Sequence, residues 1–81
     1  MNEKLEILCF GMVEDIVGQK RTQLDFNHGL RVSDLKSQME QLFPALRATS
    51  YKVALNEQIC EENQEIQAND ILALLPPFAG G

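Results

Sequence analysis

The chain has 81 residues, with 12 acidic and 7 basic side chains and a formal net charge of −5. That length holds one domain, and folding removes only about 60% of such a chain's surface from water, so a small core forms and a deep, enclosed catalytic cleft does not. At 44% hydrophobic and 23% charged residues the composition is that of an ordinary globular domain, neither disordered nor membrane-embedded.

The acidic balance argues against nucleic-acid binding, which needs clustered Lys and Arg to neutralise phosphates. One His, two Cys and no Trp make a sparse inventory for an enzyme acting alone. Cys9 and Cys60 show no CxxC spacing and no nearby His pair, so no metal site is expected and both read as small apolar side chains. Met1 to Lys4 lead into a short alternating segment rather than the apolar block of a signal peptide. The longest apolar run, Ile71 to Ala79 with its two prolines, is far too short to cross a membrane. A cytoplasmic protein without a membrane partner is the expectation.

Leu5 to Phe10 predicts a first strand, with Leu5, Ile7 and Cys9 on one face and Glu6, Leu8 and Phe10 on the other. A short helical turn over Met12 to Val17 follows, closing at Gly18. A second strand runs from Gln19 to Phe26, and Asn27-His28-Gly29 is a turn cluster. The strongest helix signal comes next: Val32, Leu35, Met39, Leu42 and Phe43 form one stripe of a 3.6-residue period and read as core. Ser33 or Asp34 is expected to help cap this helix, and Pro44 to mark its end near Phe43. Lys52 to Leu55 is a short strand, Asn56-Glu57 a tight turn, and Ile59-Cys60 its continuation. Glu61 to Gln67 is polar and irregular with Ile66 as its apolar anchor. Ala68-Asn69-Asp70 is a turn in which Asn tolerates left-handed backbone. Ile71 to Leu75 is a last, wholly apolar strand. This order predicts an α+β fold in two layers, a sheet of about five strands with one main helix across it.

The chemistry is expected at the end of the chain: Pro76-Pro77-Phe78-Ala79-Gly80-Gly81. Two prolines favour an extended course away from the domain, so residues 1–75 read as the domain and 76–81 as a tail. From Pro77, five residues reach about 15–18 Å when extended. The two terminal glycines carry no Cβ and can thread a channel too narrow for any other residue. The Gly81 carboxylate, with a reference pKa of about 3.3–3.7, is ionised at neutral pH and can attack an activated phosphate. It is a poor acyl electrophile until adenylation supplies a good leaving group, after which a sulfur nucleophile can form an acyl-sulfur species.

The order strand–strand–helix–strands–GlyGly resembles the ubiquitin-like β-grasp family, and more narrowly the small-subunit, sulfur-carrier family of molybdopterin synthase. The resemblance spans nearly the whole chain. It is carried by Phe10-Gly11 after the first strand, Ile16-Val17-Gly18, the helix opening Val32-Ser33-Asp34-Leu35 and Val53-Ala54-Leu55-Asn56. The closing run from Asn69 through Pro76-Pro77-Phe78-Ala79-Gly80-Gly81 completes it.

The resemblance implies a mixed β-grasp sheet and a cycle of sulfur transfer. A ubiquitin-activating-type adenylyltransferase would use ATP to form an acyl-adenylate on Gly81, and a sulfur donor protein would convert it to a thiocarboxylate. The tail, Pro76, Pro77, Phe78, Ala79 and Gly80, would then thread into the large catalytic subunit. There, within a heterotetramer, cyclic pyranopterin monophosphate would accept the sulfur. The resemblance implies no cofactor held by this chain; ATP is the activating partner's substrate. Docking calls for an exposed apolar patch, for which Leu8, Phe10, Leu75 and Phe78 are the candidates. Family members often carry Arg-Glu where this chain has Glu14-Asp15, so a partner ion pair there would be rebuilt or absent. A solvated loop position is expected for His28. Other readings are a carrier for thiamin thiazole or tRNA thiolation, a ubiquitin-like modifier joined to lysines, and a β-grasp interaction module with an inert tail.

Overall fold

The computed structural model describes residues 3–76. Its elements, in chain order, are β1 (Lys4–Cys9), α1 (Gly11–Val17), β2 (Arg21–Asp25), α2 (Val32–Leu42), a 3-10 helix (Pro44–Ala48), β3 (Lys52–Leu55), β4 (Gln58–Ile59) and β5 (Ile71–Leu75). They form a five-stranded mixed sheet in the order β2-β1-β5-β3-β4, with α2 packed on one side, as the predicted α+β layout requires. Only the central pair, β1 and β5, is parallel; β1–β2, β5–β3 and β3–β4 are antiparallel. A parallel pair cannot be joined by a tight turn, and most of the chain, α2 included, is spent on the connection.

The core follows from two periodicities meeting. Alternation along β1 buries Leu5, Ile7 and Cys9, and along β5 it buries Leu72 and Leu74. Against this face α2 lays Val32, Leu35 and Met39, all buried. Each such side chain stabilises the fold by about 1.5–3 kcal/mol relative to exposure. Leu42 departs from the expected stripe: it is 59% exposed. The helix stops at Leu42, and the chain turns at Phe43 (φ −132°, ψ 81°) into the 3-10 helix that Pro44 opens. Leu46 on that helix is fully buried, and Phe43 packs at the edge of the same cluster. The sequence reading placed no element there.

The start of α2 is held by a segment distant in sequence. The Arg31 backbone N–H donates to the Asp34 carboxylate at 2.9 Å, so Asp34 rather than Ser33 supplies the local cap. The next free donors, the N–H groups of Val32 and Ser33, reach the carbonyls of Gln64 (2.9 Å) and Glu62 (2.8 Å). These are groups a helix cannot satisfy internally. Ile66, buried as the anchor of that irregular stretch, fixes its position, and the Ile66 N–H donates to Leu30 O at 2.8 Å.

The β3–β4 hairpin turns on Asn56 (φ 50°) and Glu57 (φ 72°). Two successive left-handed residues make the type of turn whose twist matches its strands. Left-handed backbone therefore falls here and not at Asn69. The Asn56 side chain donates to Asp70 Oδ1 at 2.8 Å and accepts from the Ile71 N–H at 2.9 Å, tying the hairpin to the start of β5. The returning strand is Gln58–Ile59, one residue earlier than the expected Ile59-Cys60.

The buried Tyr51 joins the helix to the sheet. Its hydroxyl donates to Glu40 Oε2 at 2.6 Å, and Lys36 Nζ lies 5.1 Å from its ring centroid. Tyr51→Phe is expected to lower unfolding stability by about 0.5–1.5 kcal/mol, measured by urea denaturation, while leaving the sheet intact.

Candidate functional site

With α2 on one face, the other face of the sheet is left to solvent, and strand register decides what it shows. Leu8 pairs with Ala73, Ala73 with Ala54, and Ala54 with Ile59, making one row across β1, β5, β3 and β4. Ile71 and Leu75 stand on the same face of β5, two residues to either side of Ala73. Phe10 projects just beyond β1, its N–H donating to Leu74 O at 3.3 Å. Together these side chains line an open depression of about 640 Å³, with Asn56 and Glu57 at one edge. Phe10 is 44% exposed, Ile71 50% and Ile59 59%.

Two alanines at the centre, Ala54 and Ala73, make the floor low between larger neighbours. The face is not apolar throughout. Toward β2, Glu6 pairs with Arg21 at 3.0 Å, and Lys4 pairs with Asp25. A second, smaller hollow of about 340 Å³ joins Leu8 and Phe10 to Glu14, Lys20 and Arg21, so a rim of both charges borders the apolar zone. An apolar centre with a charged border is the layout of a protein-docking surface.

Leu8, Phe10 and Leu75, the docking candidates from sequence, are thus brought together on one face. Pro76 is half-buried at its border. Phe78, and with it Pro77, Ala79, Gly80 and Gly81, lie outside the described residues. Sequence reasoning missed Ile71, Ile59 and the two alanines. The signal for Ile71 was present: in a strand with one covered face, alternation separates Ile71, Ala73 and Leu75 from Leu72 and Leu74. Ile59 depended on the hairpin register, which a one-residue shift inverts.

The two thiols carry little reactivity. Cys9 is buried, and desolvation, with the Glu14 carboxylate adding to it, raises its pKa above the ordinary 9.0. Cys60 is half-buried, its Sγ–H donating to Val53 O at 3.5 Å, and burial raises its pKa as well. Thiolates are the reactive form, so both side chains are quiet at neutral pH. His28 is exposed, its ring edge-on to Phe26 with centroids 5.4 Å apart. Among the described residues no three His, Cys, Asp or Glu side chains gather as a metal site would need, and no helix is long and apolar enough to cross a membrane.

This sheet order, with a single long helix crossing one face and a short hairpin at the edge, is that of a ubiquitin-like β-grasp domain. Solved structures share it. A molybdopterin converting factor subunit 1 from Pyrococcus furiosus superposes with TM-score 0.86 at 16% identity, covering 94% of this chain and 99% of that one. The small archaeal modifier protein SAMP1 of Haloferax volcanii gives 0.81 at 24% identity, over 96% and 99%. Subunits 1 and 2 of the molybdopterin-converting factor of Helicobacter pylori form a complex in which one chain gives 0.67 at 22%, over 96% and 99%. The sequence matches the ThiS family over residues 7–81, and the chain belongs to that family. Among curated relatives, the molybdopterin synthase sulfur carrier subunit of Mycobacterium tuberculosis is 30% identical over 96% of this chain and 98% of its own length. That of Dictyostelium discoideum is 26% identical over the whole of both.

The raised pKa values give stability a defined pH dependence. The Tyr51 hydroxyl is also pushed above its ordinary 10.0, by burial and then by its bond to Glu40. All three groups hold their protons more tightly folded than unfolded. Their contribution is complete below pH 9 and is lost as pH rises through the folded values, because the unfolded chain then carries fewer protons. Urea-denaturation stability is expected to decline above pH 9, less steeply in Cys9→Ala and Tyr51→Phe than in the parent chain.

Proposed function

We propose that this chain is the sulfur-carrying small subunit of a molybdopterin synthase. The observation that carries the reading is the apolar sheet face bordered by the end of β5, the strand that leads into Pro76 and the Gly80-Gly81 end. The names and coverage of the curated relatives support it. In this reading residues 1–75 are the folded domain and 76–81 an arm, and the protein works in the cytoplasm.

The chemistry needs one group from this chain. A carboxylate oxygen of Gly81 attacks the α-phosphorus of ATP on an adenylyltransferase, releasing pyrophosphate and leaving an acyl-adenylate. The terminal sulfur of a persulfide on a donor protein displaces AMP to give an acyl disulfide. A second thiolate then attacks the donor-side sulfur, breaking the S–S bond to leave the thiocarboxylate on Gly81 and a disulfide between that thiol and the donor. Sulfur then passes to cyclic pyranopterin monophosphate in the large subunit, water takes the acyl group, and the carboxylate returns; two such transfers build the dithiolene. Acid, base and substrate-binding groups come from the partners, in a heterotetramer where the apolar face meets the large subunit. The naming of the Helicobacter pylori complex, subunits 1 and 2 together, supports a large-subunit partner.

Intact mass spectrometry after incubation with the adenylyltransferase, ATP and a sulfur donor tests this directly. Exchange of oxygen for sulfur at Gly81 is expected, and it should vanish when Gly80 and Gly81 are deleted with the fold unchanged by circular dichroism. An unmodified mass for the full chain would overturn the carrier reading. Adding the large subunit and the pterin precursor separates molybdopterin from a thiazole or thiolated tRNA product, and transfer to protein lysines would instead mark a modifier.

The docking face makes a second prediction. Phe10→Ala and Ile71→Thr are each expected to weaken large-subunit binding at least about tenfold, as truncating a central interface anchor does. Both exposed side chains should alter unfolding stability by no more than about 1 kcal/mol. Calorimetric titration measures the first and thermal melts the second; unchanged affinity in both variants places the interface elsewhere.

A further inference from the structure

We infer that Gly11 is a positioning residue for the C-terminal arm: its bare Cα is the seat against which the Pro76 ring closes. The inference rests on the carrier reading and adds to it a residue outside the tail.

Register is the starting point. β1 and β5 are parallel, and Cys9 stands beside Leu74. Continued by two residues, that register sets Phe10 beside Leu75 and Gly11 beside Pro76, where both strands leave the sheet. A Cβ added at Gly11 would lie 3.0 Å from Pro76 Cγ, 3.5 Å from its Cβ and 3.8 Å from its Cδ. The first distance is tighter than ordinary contact, so any side chain at Gly11 forces one partner to move.

The partner that moves is Pro76. The residue before Gly11 is fixed at both of its backbone groups: the Phe10 N–H is bonded to Leu74 O, and the Phe10 carbonyl accepts from Val13 and Glu14 in the first turn of α1. Pro76 lies past the last residue of β5 and, as a proline, has no N–H to bind it to the sheet. Its ring stands where a Cβ on Gly11 would project, so the bare Cα sets how closely the ring can approach and with it the angle at which the chain departs. A tilt of about 4° there shifts the end of a fully extended five-residue arm of about 15–18 Å by about 1 Å. A misplacement of that size at a reacting group can cost on the order of a hundredfold in rate.

Gly11 also has φ +55°, where any L side chain is strained, so loss of stability must be separated from loss of positioning. Gly18 supplies the control. It too has positive φ, at +88°, but a Cβ there meets nothing within 4 Å. The comparison is Gly11→Ala, Gly18→Ala, Pro76→Ala and the double variant Gly11→Ala/Pro76→Ala, in which the crowding Cγ is gone.

Steady-state adenylation of each folded variant, read as pyrophosphate release by the adenylyltransferase, is the assay. For Gly11→Ala, kcat is expected to fall about tenfold with KM for the carrier within about twofold, since the substitution changes the course of the arm and no exposed side chain of the domain. Gly18→Ala should match the parent chain, and the double variant should recover most of the loss relative to Pro76→Ala alone. Equal rates in Gly11→Ala and Gly18→Ala, or no recovery in the double variant, overturn the proposal.

Proton NMR on the same proteins reads the geometry without any partner. Nuclear Overhauser contacts between Gly11 Hα and the Pro76 ring are expected in the parent chain, and amide shifts after Pro76 should change in Gly11→Ala and not in Gly18→Ala. Absent contacts or identical shifts also overturn it. A parent chain that is never adenylated counts against the carrier reading alone, and the NMR comparison then decides the seat.

Discussion

The parallel pairing of β1 with β5 is the constraint on which the rest of the molecule depends. It aligns the exits of the two strands, so Phe10 and Leu75, far apart in sequence, leave the sheet side by side. An antiparallel pairing would have placed the end of β5 beside the start of β1, at Lys4 and its ion pair with Asp25 rather than at Phe10. The cost is topological: parallel neighbours need a long connection. α2 makes that connection useful by laying Val32, Leu35 and Met39 over Leu72 and Leu74. The polar stretch from Glu62 to Ile66 then returns to satisfy the helix's first donors. A segment that looks like filler by composition is what lets the helix begin where it does.

The helices share one core with the inner face of the five strands, which leaves the other face uncovered, and that face is graded. Charges gather on the β2 side, where Glu6 meets Arg21; apolar side chains gather where β1, β5, β3 and β4 run together. The low row through Ala73 and Ala54 keeps the middle open between Leu8 and Ile59. Larger residues at these two positions would fill the hollow with the chain's own side chains. The pairing of Asn56 with Asp70 and Ile71 holds the hairpin that brings Ile59 to the rim.

Local signals were legible in the sequence, and signals that needed a partner strand were not. The period of Val32 to Met39 predicted α2, Gly18 closed α1, and Asn56-Glu57 marked the hairpin. Leu42 fitted the same period, yet periodicity says nothing of where the underlying sheet ends. Leu46, the third residue of the 3-10 helix, is the leucine buried in the core, while Leu42 is exposed. For the open face, alternation put Leu8 and Phe10 on it correctly, because β1 alternates by itself. β5 is apolar on both sides, so alternation alone groups Ile71 with Leu75 and apart from Leu72, while the side that α2 covers decides which of the two sets is exposed. The meeting of Gly11 with Pro76 lay beyond any local rule, since it follows from the β1–β5 register alone.

The sparse inventory of reactive groups takes on a more definite meaning in this setting. Burial keeps Cys9 and Cys60 protonated, and His28 stands exposed beside Phe26. In the proposed carrier role that quiet is an advantage. An acyl-adenylate at the end of a chain reacts with whatever nucleophile reaches it first, and a thiolate in the same domain would compete with the sulfur donor for it. Two thiols with raised pKa values remove that competitor while still filling space as small apolar side chains. The acidic surface, net −5, fits the same logic, since it carries few amines to capture an activated carboxylate and more carboxylates to meet a basic partner.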